Sequence, residues 1–275
     1  MLNSNKYTLI CSDIDGTLLN KEKSLSLKTI NEFQRINKAG VHIILASSRS
    51  PESIRLILQE ANLNQPVISY NGALIVTEIN KNGDLKIIYD ETISVDTSEI
   101  ITSKCEELGI HSSLYYHDNW FACKEDFWSE KERKNTRVNP KFASLKEVIK
   151  LGFSGSGFNK IMCMGEEEKI NVLEKYFADD ITSEVAVYRT KSTYLEISPA
   201  NTNKFKSLII LCDFLKIEMA EVIAFGDNYN DIDMIKNVGM GVAVDNAVKE
   251  VKDVARFISG TNLNDGVAHA IAKFL

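Results

Sequence analysis

Twice in this sequence a short apolar run ends in a pair of acids. Tyr7-Thr8-Leu9-Ile10-Cys11 leads into Asp13-Ile14-Asp15-Gly16-Thr17, and Val222-Ile223-Ala224-Phe225 leads into Gly226-Asp227-Asn228-Tyr229-Asn230-Asp231. Each run reads as a buried strand, so the acids fall where strand gives way to loop, the edge at which open α/β sheets bind ligands. Residues i and i+2 on a near-extended backbone point the same way, so Asp13 and Asp15 face one small volume while Ile14 turns to the core. Like charges held that close repel unless a cation neutralises them or one acid keeps its proton. The pair therefore implies a metal site, a nucleophile with a neighbouring acid/base, or both. An Asx-type turn closed by Asp15-Gly16 is the better account of a bare pair of this kind. Two strand-to-loop junctions, each with two acids, are hard to explain as turns alone.

Around these junctions strand and helix signals alternate. A helix is expected over Leu27 to Lys38 with Ser26 as its N-cap, then a strand over Val41 to Ala46 followed by Ser47-Ser48-Arg49. Ser50-Pro51-Glu52 opens another helix as cap, first-turn proline and first-turn acid. Val67 to Tyr70 reads as a third strand, and Asn71-Gly72 and Asn82-Gly83 as hairpin turns. The same alternation resumes after Pro199, with helices over Lys204 to Leu215, Asp231 to Lys236 and Gly266 to Phe274. This pattern implies a doubly wound parallel α/β sheet of Rossmann-like type. From about Leu85 to Leu195 the pattern becomes α+β and rich in aromatics. The expected organisation is a core from residues 1–84 and 196–275 with an inserted α+β cap domain over 85–195.

Composition removes several function classes. The chain of 275 residues carries 32 basic and 38 acidic residues, a formal charge of −6, with no basic stripe for nucleic acid. Lys131-Glu132-Arg133-Lys134 reads as a solvated face. Five cysteines form no CxxC pair, and Cys11, Cys163 and Cys212 sit in apolar runs as small buried hydrophobes. No apolar run approaches the ~20 residues of a membrane span. A cytoplasmic protein with no membrane or nucleic-acid partner, monomeric or homodimeric, is expected. Gly155-Ser156-Gly157 lacks the third glycine of a dinucleotide fingerprint, and there is no P-loop.

Four pieces in order carry a resemblance: Asp13-x-Asp15-Gly-Thr, Ser47 after the second strand, Lys204 opening a helix, and Gly226-Asp227-x-x-Asn230-Asp231. Together they resemble the haloacid dehalogenase (HAD) superfamily phosphatases, specifically the Cof-like members with a large α/β (C2-type) cap. The resemblance runs end to end and includes Asn71-Gly72-Ala73 and Asp265-Gly266-Val267. It implies Asp13 as nucleophile of an aspartyl-phosphate intermediate, splitting one hard displacement into two. It implies Asp15 as the acid/base, which must hold a proton at first. Asp227 and Asp231, with Asp13 and the main-chain carbonyl of Asp15, would hold Mg²⁺, a cation suited to an all-oxygen site. Ser47 and Lys204 would contact the phosphoryl oxygens, with Gly16, Ser48, Asn71, Gly72 and Asn230 bordering the phosphate. Taken singly, Ser47 is equally a loop hydroxyl, Lys204 a solvated helix residue and Asn71-Gly72 a tight turn. Arg49 either reaches substrate or pairs with an acid.

The chain departs from the family pattern in three places. Ser47-Ser48-Arg49 replaces the usual Thr-Gly-Arg, Phe205 follows Lys204 where glycine is common, and Val244-Asp245-Asn246-Ala247 replaces Met-Gly-Asn-Ala. None removes a catalytic group. The expected activity is Mg²⁺-dependent hydrolysis of a small phosphorylated metabolite such as a sugar phosphate. The alternatives are a phosphosugar mutase or other phosphotransferase, and a non-catalytic regulator that binds a phosphometabolite.

Overall fold

The computed structural model describes residues 6–79, 84–148, 157–180 and 183–275. The expected turn at Asn82-Gly83, and the Gly155-Ser156 part of the glycine-rich segment, lie outside them. Along the chain the elements begin β1 (Leu9–Ser12), α1 (Leu27–Lys38), β2 (His42–Ala46), α2 (Pro51–Glu60), β3 (Val67–Ser69), β4 (Leu74–Ile79) and β5 (Leu85–Asp90). There follow α3 (Val95–Leu108), β6 (His111–Tyr116), β7 (Asn119–Ala122), α4 (Phe127–Thr136), β8 (Lys141–Phe142), α5 (Leu145–Val148), β9 (Lys160–Met164), α6 (Glu167–Asp180), β10 (Val185–Lys191) and β11 (Tyr194–Pro199). The chain closes with α7 (Lys204–Leu215), β12 (Val222–Gly226), α8 (Ile232–Asn237), β13 (Met240–Ala243), α9 (Lys249–Val254), β14 (Phe257–Ile258) and α10 (Gly266–Phe274).

Local chemistry sets the helix starts. Ser26 Oγ accepts the Thr29 N–H at 3.1 Å ahead of α1, and Ser50 accepts the Ser53 N–H at 3.3 Å ahead of α2, whose first residue is Pro51. Asn203 caps α7 through the Lys206 N–H at 2.8 Å. Each cap satisfies a donor that the helix leaves open.

Two compact units result, Met1–Tyr89 with Asn203–Leu275, and Asp90–Thr202. The first holds an eight-stranded sheet in the order β14-β13-β12-β1-β2-β3-β4-β5. Strands β14 to β3 pair in parallel and β4 runs antiparallel to β3. Leu9, Ile10, Ile43, Ile44, Ile223 and Phe225 are all 0% exposed, as parallel strands covered on both faces must be. From β1 the sheet grows through β2 and β3 on one side and through β12, β13 and β14 on the other. With right-handed crossovers, this places α1 and α2 on one face and α8 and α9 on the other. The reversal falls between β1 and β12, so the crevice that a doubly wound sheet opens for ligand lies at the ends of the two acid-bearing strands.

The second unit is a six-stranded sheet, β10-β11-β9-β6-β7-β8, antiparallel except for β7 with β8. Its apolar core includes Ile101, Cys105, Leu114, Phe121, Ile161 and Ile197. The basic-acidic run expected to be solvated lies on α4, where Glu132 is instead buried. Of this unit's aromatics, Tyr115, Trp120 and Phe121 are buried but Phe127 is exposed. No helix among the described residues is long and apolar enough to cross a membrane.

Candidate active site

The β1 and β12 ends are tied together by the Asp13 N–H, which donates to the Phe225 carbonyl at 3.0 Å. Asp13 is therefore buried where β1 ends, with Ile14 behind it at 0% exposure. Across from it, Asp231 is completely buried. Lys204, reaching in from the first residue of α7, donates to Asp13 Oδ1 at 2.5 Å and to Asp231 Oδ1 at 2.8 Å. Its ammonium is also fully enclosed. Asp227 completes the group, its Oδ1 accepting from Thr17 Oγ1 at 2.6 Å.

One carboxylate oxygen each from Asp13, Asp227 and Asp231 lie within 4.8 Å of one another. With all three acids ionised, three carboxylates against one ammonium leave two negative charges in a buried place. Burial first, then the Asp231 and Asp227 charges, push Asp13 up to about 8 despite Lys204. Burial likewise raises Asp227. For Lys204 burial works the other way, but Asp13 and Asp231 outweigh it and raise its pKa. The deficit of two positive charges and the all-oxygen donor set fit a hard divalent cation.

Asp15 goes elsewhere. Arg49, itself buried, grips it with both arms of the guanidinium, Nε to Oδ2 at 2.7 Å and a terminal nitrogen to Oδ1 at 2.9 Å. Lys23 adds a third contact at 3.1 Å. Burial opposes ionisation here, yet Arg49 and Lys23 prevail and hold the carboxyl at about 2. The sequence reading required a proton on this acid at the outset; in this arrangement it is ionised. The physical reason is a bidentate, charge-assisted pair, in which Arg49 takes one of its two expected alternatives, pairing with an acid.

The remaining sequence candidates border the same edge. Ser47 is buried; its N–H donates to Ile68 and its carbonyl accepts the Asn71 N–H, both at 3.0 Å. Its hydroxyl accepts the Arg49 N–H at 3.3 Å. Ser48 follows it at the end of β2, half-buried. Asn71 has φ +53° and accepts from Asn230 Nδ2 at 3.0 Å, which joins two of the expected phosphate-bordering residues. Gly72 has φ +104°, and a Cβ there would lie 2.4 Å from the Asn203 carbonyl. Gly16 has φ +95°, and its Cβ would meet Asp227 Oδ2 at 2.4 Å, so only glycine fits between the two acid loops.

Sequence reasoning gave no role to Thr17, Lys23 or Asn246, whose Nδ2 donates to the Gly16 carbonyl at 2.7 Å. Thr17 stood inside the quoted motif, and Asn246 inside a noted departure from the family pattern. Lys23 carried no local signal.

At the switch point of a doubly wound sheet, a buried ammonium thus bridges two buried carboxylates within an acid cluster that could hold a metal ion. The haloacid dehalogenase-like hydrolase family matches residues 10–271, and the chain belongs to that family. It is a phosphatase acting on phosphorylated substrates. A Haemophilus influenzae protein provisionally named a phosphatase is 31% identical over 95% of this chain and 96% of its own. The Bacillus subtilis 5-amino-6-(5-phospho-D-ribitylamino)uracil phosphatase YitU is 26% identical over 98% of each chain. Among solved structures, a haloacid dehalogenase-like hydrolase from Bacteroides thetaiotaomicron superposes with a TM-score of 0.88 at 28% identity, covering 98% of this chain and 100% of that one.

Proposed function

We propose that the enzyme hydrolyses small phosphorylated metabolites, sugar phosphates or similar, in a Mg²⁺-dependent reaction through an aspartyl-phosphate on Asp13. The observation that carries this reading is the Lys204 ammonium bridging Asp13 and Asp231 at 2.5 and 2.8 Å inside a cluster that still lacks two positive charges. Asp13, Asp227 and Asp231, with the Asp15 carbonyl, would hold Mg²⁺, which when bound supplies positive charge against the phosphoryl oxygens.

Asp13 attacks phosphorus and the alcohol departs with a proton. Lys204 fixes the Asp13 carboxylate by its Oδ1 and offers charge to the transferring group. Ser47 and the Asn71-Gly72 turn border the phosphoryl oxygens, and Asn230 holds the Asn71 side chain. Water then attacks the aspartyl-phosphate, losing its proton to Asp15. The ionised state of Asp15 matches this second step. For the first, Arg49 and Lys23 must loosen their hold so that Asp15 carries a proton. The substrate named for the Bacillus subtilis relative, a phosphate ester on a ribitylamino-uracil, supports a small metabolite over a macromolecule.

The test is phosphate release from sugar phosphates, nucleotides, cofactor phosphates and an aryl phosphate, run with Mg²⁺, with EDTA, and with Asp13→Asn. Metal-dependent turnover abolished in Asp13→Asn is the expected result. Turnover that persists in EDTA, or in Asp13→Asn, would overturn the proposal.

A further inference from the structure

Away from the acid cluster, the second unit gathers reactive side chains around Cys123. This cysteine follows β7 and is exposed, whereas Cys11, Cys105, Cys163 and Cys212 are buried. Its Sγ accepts the Ser112 N–H at 3.5 Å, and the His111 ring lies close enough to influence its charge. The His111 ring is buried, with Nδ1 3.0 Å from Asp126 Oδ2 and Nε2 3.1 Å from Ser113 Oγ. An ionised carboxylate only accepts, so Nδ1 carries a proton. Asp126 is itself fixed as the N-cap of α4 by the Trp128 and Ser129 N–H groups at 2.9 and 3.1 Å. Thiol, imidazole and orienting carboxylate form the arrangement that favours a thiolate nucleophile.

Cys123 also lines a cavity of about 480 Å³, a volume suited to a small molecule. Lys124 and Lys146 line the same cavity, as do Glu99 and Glu106. Charges of both signs suit a small zwitterion bearing carboxylates and an ammonium.

We propose that Cys123 is a thiol-exchange site that takes a small zwitterionic disulfide of the glutathione type into this cavity and keeps half of it as a mixed disulfide. The thiol proton leaves to His111 or solvent, and the thiolate attacks one sulfur of the small disulfide. The old S–S bond breaks as the Cys123 S–S bond forms. The departing thiolate takes a proton from water, so the small disulfide is the oxidant and its released half is the reduced product.

Electrostatics support the site. Burial opposes the thiolate, but His111 and the Ser112 N–H outweigh it and hold the Cys123 thiol below its ordinary value. The groups facing it are His111 on β6, Lys124 beside it, Asp126 at the head of α4, Glu99 and Glu106 on α3, Lys146 on α5 and Cys163 on β9. The lysines favour the thiolate and the glutamates oppose it.

The full chain is incubated with oxidised glutathione and mapped by intact-mass and peptide mass spectrometry. The iodoacetamide rate at Cys123 is followed from about pH 5 to 10. A single glutathione adduct on Cys123, and an alkylation midpoint below the free-thiol value of about 8.5, are expected. Lys146→Ala, an exposed change, slows glutathione addition roughly two- to threefold while leaving alkylation by neutral iodoacetamide unchanged. Asp126→Asn slows both at neutral pH by roughly three- to tenfold. Because Asp126 also caps α4, the profile of the unaltered chain decides the matter if that variant does not fold. A midpoint at or above about 8.5 would reduce the site to an ordinary exposed thiol and overturn the proposal. So would the absence of a glutathione adduct.

Discussion

The two acid-bearing loops of the first unit satisfy their carboxylates in opposite ways. After β12 the means are largely local: Asp231 Oδ2 accepts the N–H groups of Asp227 and Asn228 at 3.0 and 3.1 Å, a cap made within five residues of chain. After β1 they are remote. Asp13 depends on Lys204, 191 residues away, and Asp15 on Arg49, 34 residues away. The β12 loop therefore uses one acid, Asp231, to hold backbone through its Oδ2, with Asp227 turned to Thr17, while the β1 loop keeps both its acids in a balance of side-chain charges. A scaffold built one way and a reacting group poised the other is what phosphoryl transfer needs, because its catalysis is mostly positioning and electrostatics.

The sharpest way to break this contrast is to change one acid in each loop. Asp13→Asn removes the proposed nucleophile, and kcat is expected to fall by roughly 10⁴-fold, about 5 kcal/mol. Its stability should hold or rise in metal-free protein. A carboxyl whose pKa rises from its ordinary 3.8 to about 8 on folding destabilises the fold above about pH 4, because the unfolded chain ionises it more readily. The asparagine oxygen still accepts from Lys204. Urea unfolding beside steady-state kinetics checks both halves; a large loss of stability would show that Asp13 holds the fold after all.

Asp231→Ala should do the reverse in kind. It strips two loop N–H groups of their acceptor and leaves Lys204 with one anion in a fully buried place. Uncompensated burial of this sort costs about 3–5 kcal/mol. The urea midpoint is expected to drop accordingly, with Mg²⁺ unable to restore it. A variant as stable as the parent would mean that the β12 loop does not rely on its own cap.

The contrast also explains what was legible beforehand. Local devices were: Ser26 and Ser50-Pro51 each announce a helix start, and the bounds read for α1, α7 and α10 agree with those observed. The acid clusters were legible because each sits directly after an apolar run. Lys204 stood out only through the family resemblance, since a lysine opening a helix looks solvated until the fold encloses it. Arg49 could not be assigned, because its partner is set by where two loops meet in space. For the same reason the low pKa of Asp15 was invisible and the opposite was expected. In the second unit, α4 was hidden by its charges; Glu132 is buried although it sits in a run of four charged residues.

Gly16→Ala tests the seam between the loops. The residue has φ +95°, and its Cβ would stand 2.4 Å from Asp227 Oδ2, so either the backbone or the acid must move. A loss of about 1–3 kcal/mol is expected, together with weaker metal binding by isothermal titration, since Asp227 belongs to the acid cluster. Unchanged metal affinity would show that Asp227 yields without consequence.

Arg49→Gln has the smallest expected effect on stability and the most informative one on mechanism. The folded pKa of Asp15, about 2, lies below its ordinary 3.8. Its pairing therefore stabilises the protein above about pH 4, and that contribution fades as pH falls through about 2. Without Arg49 the slope of stability against pH in that acid window should flatten. The Asp15 side chain is 42% exposed and Lys23 remains, so at neutral pH the change should be slight. Catalysis is a different matter. If Asp15 must be ionised to accept the proton of the attacking water, raising its pKa moves the acid limb of kcat against pH upward. Release of the leaving group, which needs the protonated form, gains at the same time. An acid limb that stays in place would assign Arg49 to the phosphoryl group instead and leave the control of Asp15 to Lys23.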